Sequence, residues 1–361
     1  MTQKHAVFSA SGSNRWMNCA GSVEMIKRVD FHEPSSPNAE EGTLAHEVLE
    51  CLIKGKEVPV TADEDMIYHG EKTIEFIKSL GLPVLPENSE KRITIDWLIQ
   101  GQFGTCDYFH YDPVTRTVYV IDYKYGFNAV EVDNNSQLSF YAMDDSTWKD
   151  FERVVCVIAQ PRAYHPDGPY RMWKAERIDI MRIAGKMEKA YQMAKSDSAP
   201  LAIGKHCKYC KARGNCPAIH ERINELKTIL DAEPPLTGEQ LGKRLADVRE
   251  LHELVGYAKS SLETQAMYKI NQGDTINGFA VVPNIGRRAL KDEQTLLSLA
   301  PVFGVDMETL YEKKLKPIGK LEKELPKEIV NICTEQPNNG FKLVQSETST
   351  NKAQAIFGEY K

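Results

Sequence analysis

The sequence predicts an α/β protein, a mixed sheet flanked by helices over residues 1–220, followed by a mainly helical region over 221–361. Three observations carry that prediction. Apolar residues recur at helical spacing over 42–54, short β-branched and aromatic segments follow one another over 92–160, and a longer helical periodicity begins near 237.

In "GTLAHEVLECLIK", Leu44, Val48, Leu49, Leu52 and Ile53 share one helical face, which places a helix start near Glu40. A second helix is expected over 63–80. "RITIDWLI", "GQFGTCDYFHY", "RTVYVIDYKY" and "ERVVCVIAQ" have strand composition, and "NNSQLSFYAMDDST", between the last two, reads as a helix from near Asn134. "YRMWKAERI" adds a strand and "IMRIAGKMEKAYQMAKS" a helix. Beyond "DAEPPLTGEQ", Thr237 and Gln240 match a capping box. Leu241, Leu245, Val248, Leu251, Val255, Ala258 and Leu262 then recur every three or four positions up to a stop at Gly273. At ~1.5 Å per residue this helix is on the order of 50 Å long. Packing on its own domain is expected ahead of a dimeric coiled coil. The segment "EKKLKPIGKLEKELPKE" reads as a solvated charged surface.

Composition narrows the class. The 361 residues are 42% hydrophobic and 27% charged, as in ordinary globular chains with room for two domains. A net charge of −6 excludes a chain-wide basic coat for nucleic acid, though not a local basic channel. No window approaches the ~20 apolar residues of a spanning helix, so no membrane partner is expected. "MTQKHAVFSASGSNRW" carries no signal-peptide core, so the expected compartment is the cytoplasm.

The eight cysteines are therefore expected to be reduced. Cys51, Cys106, Cys156 and Cys333 sit in apolar contexts and read as small core residues. Cys207, Cys210 and Cys216, in "HCKYCKARGNCP", have the look of metal ligands, yet a tetrahedral thiolate site needs four. Cys19, in "RWMNCAGS", is the one thiol left without a reading.

The strongest chemistry lies in "FGTCDYFHYDPVTRTVYVIDYKYG". Asp112 and Pro113 suit the first two positions of a turn. If that turn centres between Val114 and Thr115, Asp107 and Asp122 face each other with Cβ atoms ~5 Å apart. Lys124 then projects from the same face as Asp122. Paired carboxylates repel unless a cation sits between them, and hard divalent ions are held by such pairs together with phosphate oxygens. The set suits phosphodiester hydrolysis, whereas a surface hairpin with an Asp–Lys ion pair is the plainer reading.

These residues also carry a resemblance. "GTCD" followed by "VIDYKYG" resembles the core of the PD-(D/E)xK nucleases in its RecB-like form. "GTLAHEVLE" is similar to that family's first motif, which implies His46 as a metal ligand. "SQLSFYA" is similar to its Gln-x-x-x-Tyr motif, implying that Gln137 and Tyr141 position the substrate strand. The resemblance covers about residues 8–220. It implies Mg²⁺ or Mn²⁺ held by His46, Asp107, Asp122 and the Tyr123 carbonyl, with Lys124 helping to activate water. The implied activity is DNA hydrolysis, expected as an exonuclease, in phage recombination or DNA processing within a bacterial host's cytoplasm. An additional acidic residue often precedes the hairpin in the family, and Glu90 and Asp96 are the candidates here.

A subset of RecB-like nucleases, including the AddB nuclease domain and the CRISPR adaptation nucleases, carries a [4Fe–4S] cluster on one upstream and three downstream cysteines. The resemblance thus implies Cys19, Cys207, Cys210 and Cys216 as its ligands, with a structural role. The rival reading is a catalytically idle DNA-binding or scaffold module that keeps fold and cluster. With no G-x-x-x-x-G-K-[ST] loop, a helicase, or a single-strand-binding or annealing protein, would have to act in trans.

Overall fold

The structure, a computed structural model, describes residues 6–30, 37–228 and 237–281. It is α/β. Five strands, β1 (Ser89–Thr94), β2 (Phe103–Asp112), β3 (Thr117–Tyr123), β4 (Arg153–Ala159) and β5 (Tyr170–Glu176), form one mixed sheet in sequential order. Only β3 and β4 run parallel; the other neighbours are antiparallel. The parallel pair needs a crossover, and helix α5 (Ser136–Ala142 in the crossover) supplies it.

The helices before the sheet are α1 (Ser13–Asn18), α2 (Ser22–Lys27), α3 (Pro37–Lys54) and α4 (Glu64–Ser79). α3 and α4 match the two helices expected from periodicity. They bury Val48, Leu49 and Ile77 against Tyr108, Ile121, Tyr123 and Val157. On the opposite face, α1, α5 and α6 (Arg177–Ala194) bring Trp16, Leu138, Phe140, Ile180 and Met187 onto Val118, Val120, Cys156 and Ile158. The two faces of β3 thus divide by strict alternation, as a strand buried on both sides requires.

The expected strand over "RITIDWLI" is displaced toward the N-terminus. β1 starts at Ser89 and stops at Thr94, because the Asp145 carboxylate accepts the peptide N–H groups of Asp96 (2.9 Å) and Trp97 (3.1 Å). Those bonds take the backbone away from the ladder. α5 is capped by Asn135, whose side-chain oxygen accepts from Gln137 N (3.0 Å) and Leu138 N (3.2 Å), an arrangement worth about 1 kcal/mol.

The chain divides into two compact units, Met1–Val282 and Pro283–Lys361. The first contains the sheet together with α7 (Pro217–Lys227) and α8 (Gly238–Asn271). α8 has the reciprocal Thr237–Gln240 capping box, and Gly273 follows its end at φ +100°. It packs within its own unit: Leu254 and Leu251 meet Cys207, Ile219 and Leu226, and Glu250 forks onto Arg222 at 2.8 Å for both contacts. Cys333 and the charged segment over 312–328 lie outside the described residues. Among the described residues, no helix is long and apolar enough to cross a membrane.

Candidate metal and catalytic site

The site is built on the β2–β3 hairpin. Its register runs from Asp112↔Thr117 to Tyr108↔Ile121, so the loop is centred between Val114 and Thr115 as the turn chemistry predicts. Asp112 holds that loop, accepting from Val114 N (2.9 Å) and Thr115 Oγ1 (2.6 Å). The paired register ends at Tyr108↔Ile121, one position short of Asp107 and Asp122, and there β2 loses its alternation, since Cys106 and Phe109 join one core while Tyr108 joins the other. The Asp107 Oδ2 atom accepts the Tyr123 peptide N–H at 2.6 Å, which sets the main chain of Tyr123 against the carboxylate.

Two other elements converge on Asp107. From α3, His46 Nδ1 lies 2.9 Å from Asp107 Oδ1. From β1, Glu90 sits between the paired positions Ser89↔Tyr108 and Lys91↔Cys106, and so beside Asp107. Glu90 has φ +51°, a left-handed conformation that costs an L-residue roughly 1–2 kcal/mol. Local strain of this kind persists where the surroundings enforce it, typically at functional sites. His46, Glu90 and Asp107 offer ligand atoms that all lie within 4.8 Å of one another. Asp96, the other acidic candidate, accepts Gly101 N at 2.7 Å in a turn and takes no part.

The second half of the site is a polar chain. Lys124 Nζ is 2.9 Å from Asp122 Oδ2 and donates to Gln137 Oε1 at 3.3 Å. Gln137 Nε2 donates to Asp122 Oδ1 (2.9 Å) and to Tyr141 Oη (3.0 Å). Gln137 and Tyr141 share one face of α5, and the Lys124 peptide is fixed by donating to Ala159 O at 2.8 Å. Gly104 gives Tyr141 its place: a Cβ there would stand 2.9 Å from the tyrosine ring. All the catalytic and metal-binding residues expected from sequence are therefore gathered in one place.

Electrostatics divide them. Burial alone would lower the His46 pKa, but the adjacent Asp107 charge raises it to about 9. Burial alone would raise Asp107, but His46, the Lys124 charge and the Tyr123 N–H pull it below the usual carboxylate range. Burial and the Asp107 charge push Glu90 up to about 7. Asp122 is raised chiefly by burial, against the opposing pull of Lys124 and with the repulsion of Asp107 added. Asp122 Oδ2 is in ion-pair distance of Lys124 yet has no aligned hydrogen bond, although it is buried. Such an atom is expensive in a dry setting unless another partner serves it.

Beside Lys124 and Gln137 opens a cleft of about 810 Å³, walled by α1 and α6 and edged by Lys186 and Lys189 as well as Glu131 and Asp133. The wall formed by α1 leads straight into the cysteines. Cys19 caps α1, and Cys19, Cys207, Cys210 and Cys216 line one small enclosed pocket. Cys19 Sγ accepts the Ala202 N–H at 3.4 Å across 183 positions of sequence. Gly21 N donates to Pro200 O at 2.9 Å, and a Cβ at Gly21 would meet the Ala199 carbonyl at 2.7 Å. Among the described residues no three cysteine sulfurs lie within 4.8 Å of one another. Cys51, Cys106 and Cys156 are buried apart from it.

A family model described as "Protein of unknown function (DUF2800)" matches residues 5–350 of the chain.

Proposed function

The chain belongs to the DUF2800 family, and we propose that it is a metal-dependent deoxyribonuclease of the PD-(D/E)xK kind, hydrolysing phosphodiester bonds at the Asp107–Asp122 hairpin. One observation carries the reading. His46, Glu90 and Asp107 converge within 4.8 Å from three separate elements, directly beside a buried Asp122–Lys124 pair.

The donor set fits Mg²⁺ or Mn²⁺: hard oxygen ligands, an imidazole, carboxylates that repel one another, and a buried Asp122 oxygen lacking an aligned hydrogen bond. His46, Glu90, Asp107, Asp122 and the Tyr123 carbonyl would hold it. When bound, such an ion supplies charge neutralisation and a water of lowered pKa. The remaining work falls to this chain's own residues. Lys124 carries a fixed positive charge beside Asp122, placed to stabilise charge developing on the phosphoryl oxygens. Gln137 orients both Lys124 and Asp122, and Tyr141 orients Gln137. The cleft along α1 and α6 offers a path for the strand.

Four thiols from two distant segments that line one pocket support a [4Fe–4S] cluster, which thiolates alone can ligate. Cys19, Cys207, Cys210 and Cys216 would hold it, with a structural role: it would tie α1, one wall of the cleft, to the segment that carries the other three cysteines. Exonuclease action on DNA in phage recombination or processing, with a helicase or annealing partner in trans, is the context this reading implies. The test is digestion of end-labelled linear and circular DNA with Mg²⁺ or Mn²⁺. Degradation of the linear form supports the exonuclease; no cleavage of either form with either ion removes the proposal.

A further inference from the structure

Three residues past Lys124 the chain presents an aromatic side chain to solvent. Phe127 is 66% exposed, and an exposed ring on a flexible loop would mean little. This loop is not free. Gln160, a buried side chain just beyond β4, donates from Nε2 to Gly126 O (2.9 Å) and Asn128 O (2.8 Å). Its Oε1 accepts from Val130 N (3.0 Å) and from Arg171 Nη2 (2.6 Å). Arg171, also buried, in turn donates to Val130 O at 2.9 Å. Two buried polar side chains are thus spent on fixing the backbone on both sides of Phe127. Burying polar groups is costly unless each bond is made, and here the bonds serve to hold an apolar ring in water.

The ring is also joined to the catalytic site by a continuous ladder. The His46 ring lies 5.7 Å from that of Tyr123, and Tyr123 lies 6.1 Å from Tyr125. The Arg162 guanidinium sits 4.4 Å from the Tyr125 ring centroid and 4.1 Å from that of Phe127. Glu41, on the helix that carries His46, accepts from Arg162 Nη1 at 2.6 Å. Arg162 therefore covers one face of Phe127 and leaves the other to solvent.

We propose that Phe127, backed by Arg162, is a stacking platform for an unpaired nucleobase of the strand whose phosphate reaches Lys124. This rests on the nuclease reading and narrows its substrate to DNA that is single-stranded at the site, since a base inside a duplex has no free face to offer. Base–aromatic stacking tolerates any sequence because every base has a π-face. The platform therefore grips without reading sequence.

The test uses the full-length protein and a single-stranded oligonucleotide containing 2-aminopurine, with Ca²⁺ replacing Mg²⁺ during binding. Wild type should quench the probe. Phe127→Ala should lose the quench, weaken binding roughly five- to a hundredfold, and raise KM more than it lowers kcat. Phe127→Trp should restore all three, whereas Phe127→Leu, apolar but without a π-face, should behave as the alanine variant does. Equal binding and quenching by wild type and Phe127→Ala, in a protein that cleaves DNA, overturns the platform and leaves the nuclease standing. Rescue by leucine, or tighter binding of blunt duplex than of single strand, overturns it too. Intact Phe127-dependent quenching in a protein that cleaves nothing removes the nuclease reading and keeps the platform.

Discussion

His46 and Asp107 are 61 positions apart in the chain, yet His46 Nδ1 lies 2.9 Å from Asp107 Oδ1. The contact joins α3 to the sheet at the point where Glu90 also arrives, and everything expected of the site follows from that convergence.

The first prediction separates charge from packing at the two aspartates. Asp122→Asn preserves shape and the bond from Gln137, but removes one of the charges a divalent ion requires. Asp107→Ala removes the other; it relieves Glu90 of repulsion but leaves His46 and the Tyr123 N–H without their acceptor, so the metal-free fold should hold at a lowered melting temperature. Both variants should lose cleavage to background with unchanged circular dichroism. Substantial Mg²⁺-dependent cleavage by either one would refute the assignment.

Lys124 acts, on this reading, on the transition state. Lys124→Ala should lower kcat by ~10²–10³ with little change in substrate affinity. Binding measured in Ca²⁺ decides the matter: parallel losses in affinity and turnover would make it a phosphate anchor instead.

A third prediction concerns pH and the metal-free protein. Glu90 is raised to about 7 and His46 to about 9 in the fold, against ordinary values of ~4.3 and ~6.5. Between those limits the native state binds more protons than the unfolded chain, so these two groups make stability fall as pH rises. Glu90 contributes its stability below about pH 4.3 and loses it through 7; His46 loses its own through 9. The melting temperature should therefore fall from about pH 5 to pH 9, and Glu90→Gln should flatten the lower part of that decline. A flat profile in wild type would contradict the convergence of these charges.

For the cysteines, anaerobically purified protein should be brown with about four irons per chain. Cys19→Ser should lose the iron as completely as Cys207→Ser does, while Cys51→Ser keeps it. Loss should also lower the melting temperature, since group and fold are linked. A full iron complement in the Cys19 variant is the result that rules out the staple.

How much of this was legible beforehand depends on the physics behind each element. The register from Asp112↔Thr117 to Tyr108↔Ile121 could be read because Asp112 and Pro113 specify the turn; the ladder stops there, one position short of Asp107 and Asp122. α8 could be read from its capping box and its glycine stop. The early end of β1 could not: side-chain bonds from Asp145, some fifty positions away, decide it. Glu90 could be named only as one of two acids, since its place depends on a left-handed backbone that no local pattern announces. The Gln160–Arg171 clamp left no signal at all, because both residues look like ordinary polar positions until the fold buries them.

The bond from Gly21 to Pro200 has a consequence for how the molecule is made. A chain leaves the ribosome N-terminus first, so Trp16 and Cys19 emerge long before the segment that receives them. Trp16, fully buried in the finished fold, has to wait in the open while the whole sheet is synthesised. An early segment is thus closed by one that follows the entire sheet, a contact of high sequence separation that favours slow folding and exposes the nascent chain to aggregation. Chains interrupted before residue 200 keep the hairpin carboxylates but lack the latch for α1, so partial products are expected to be insoluble or chaperone-bound, without the walled cleft beside Lys124.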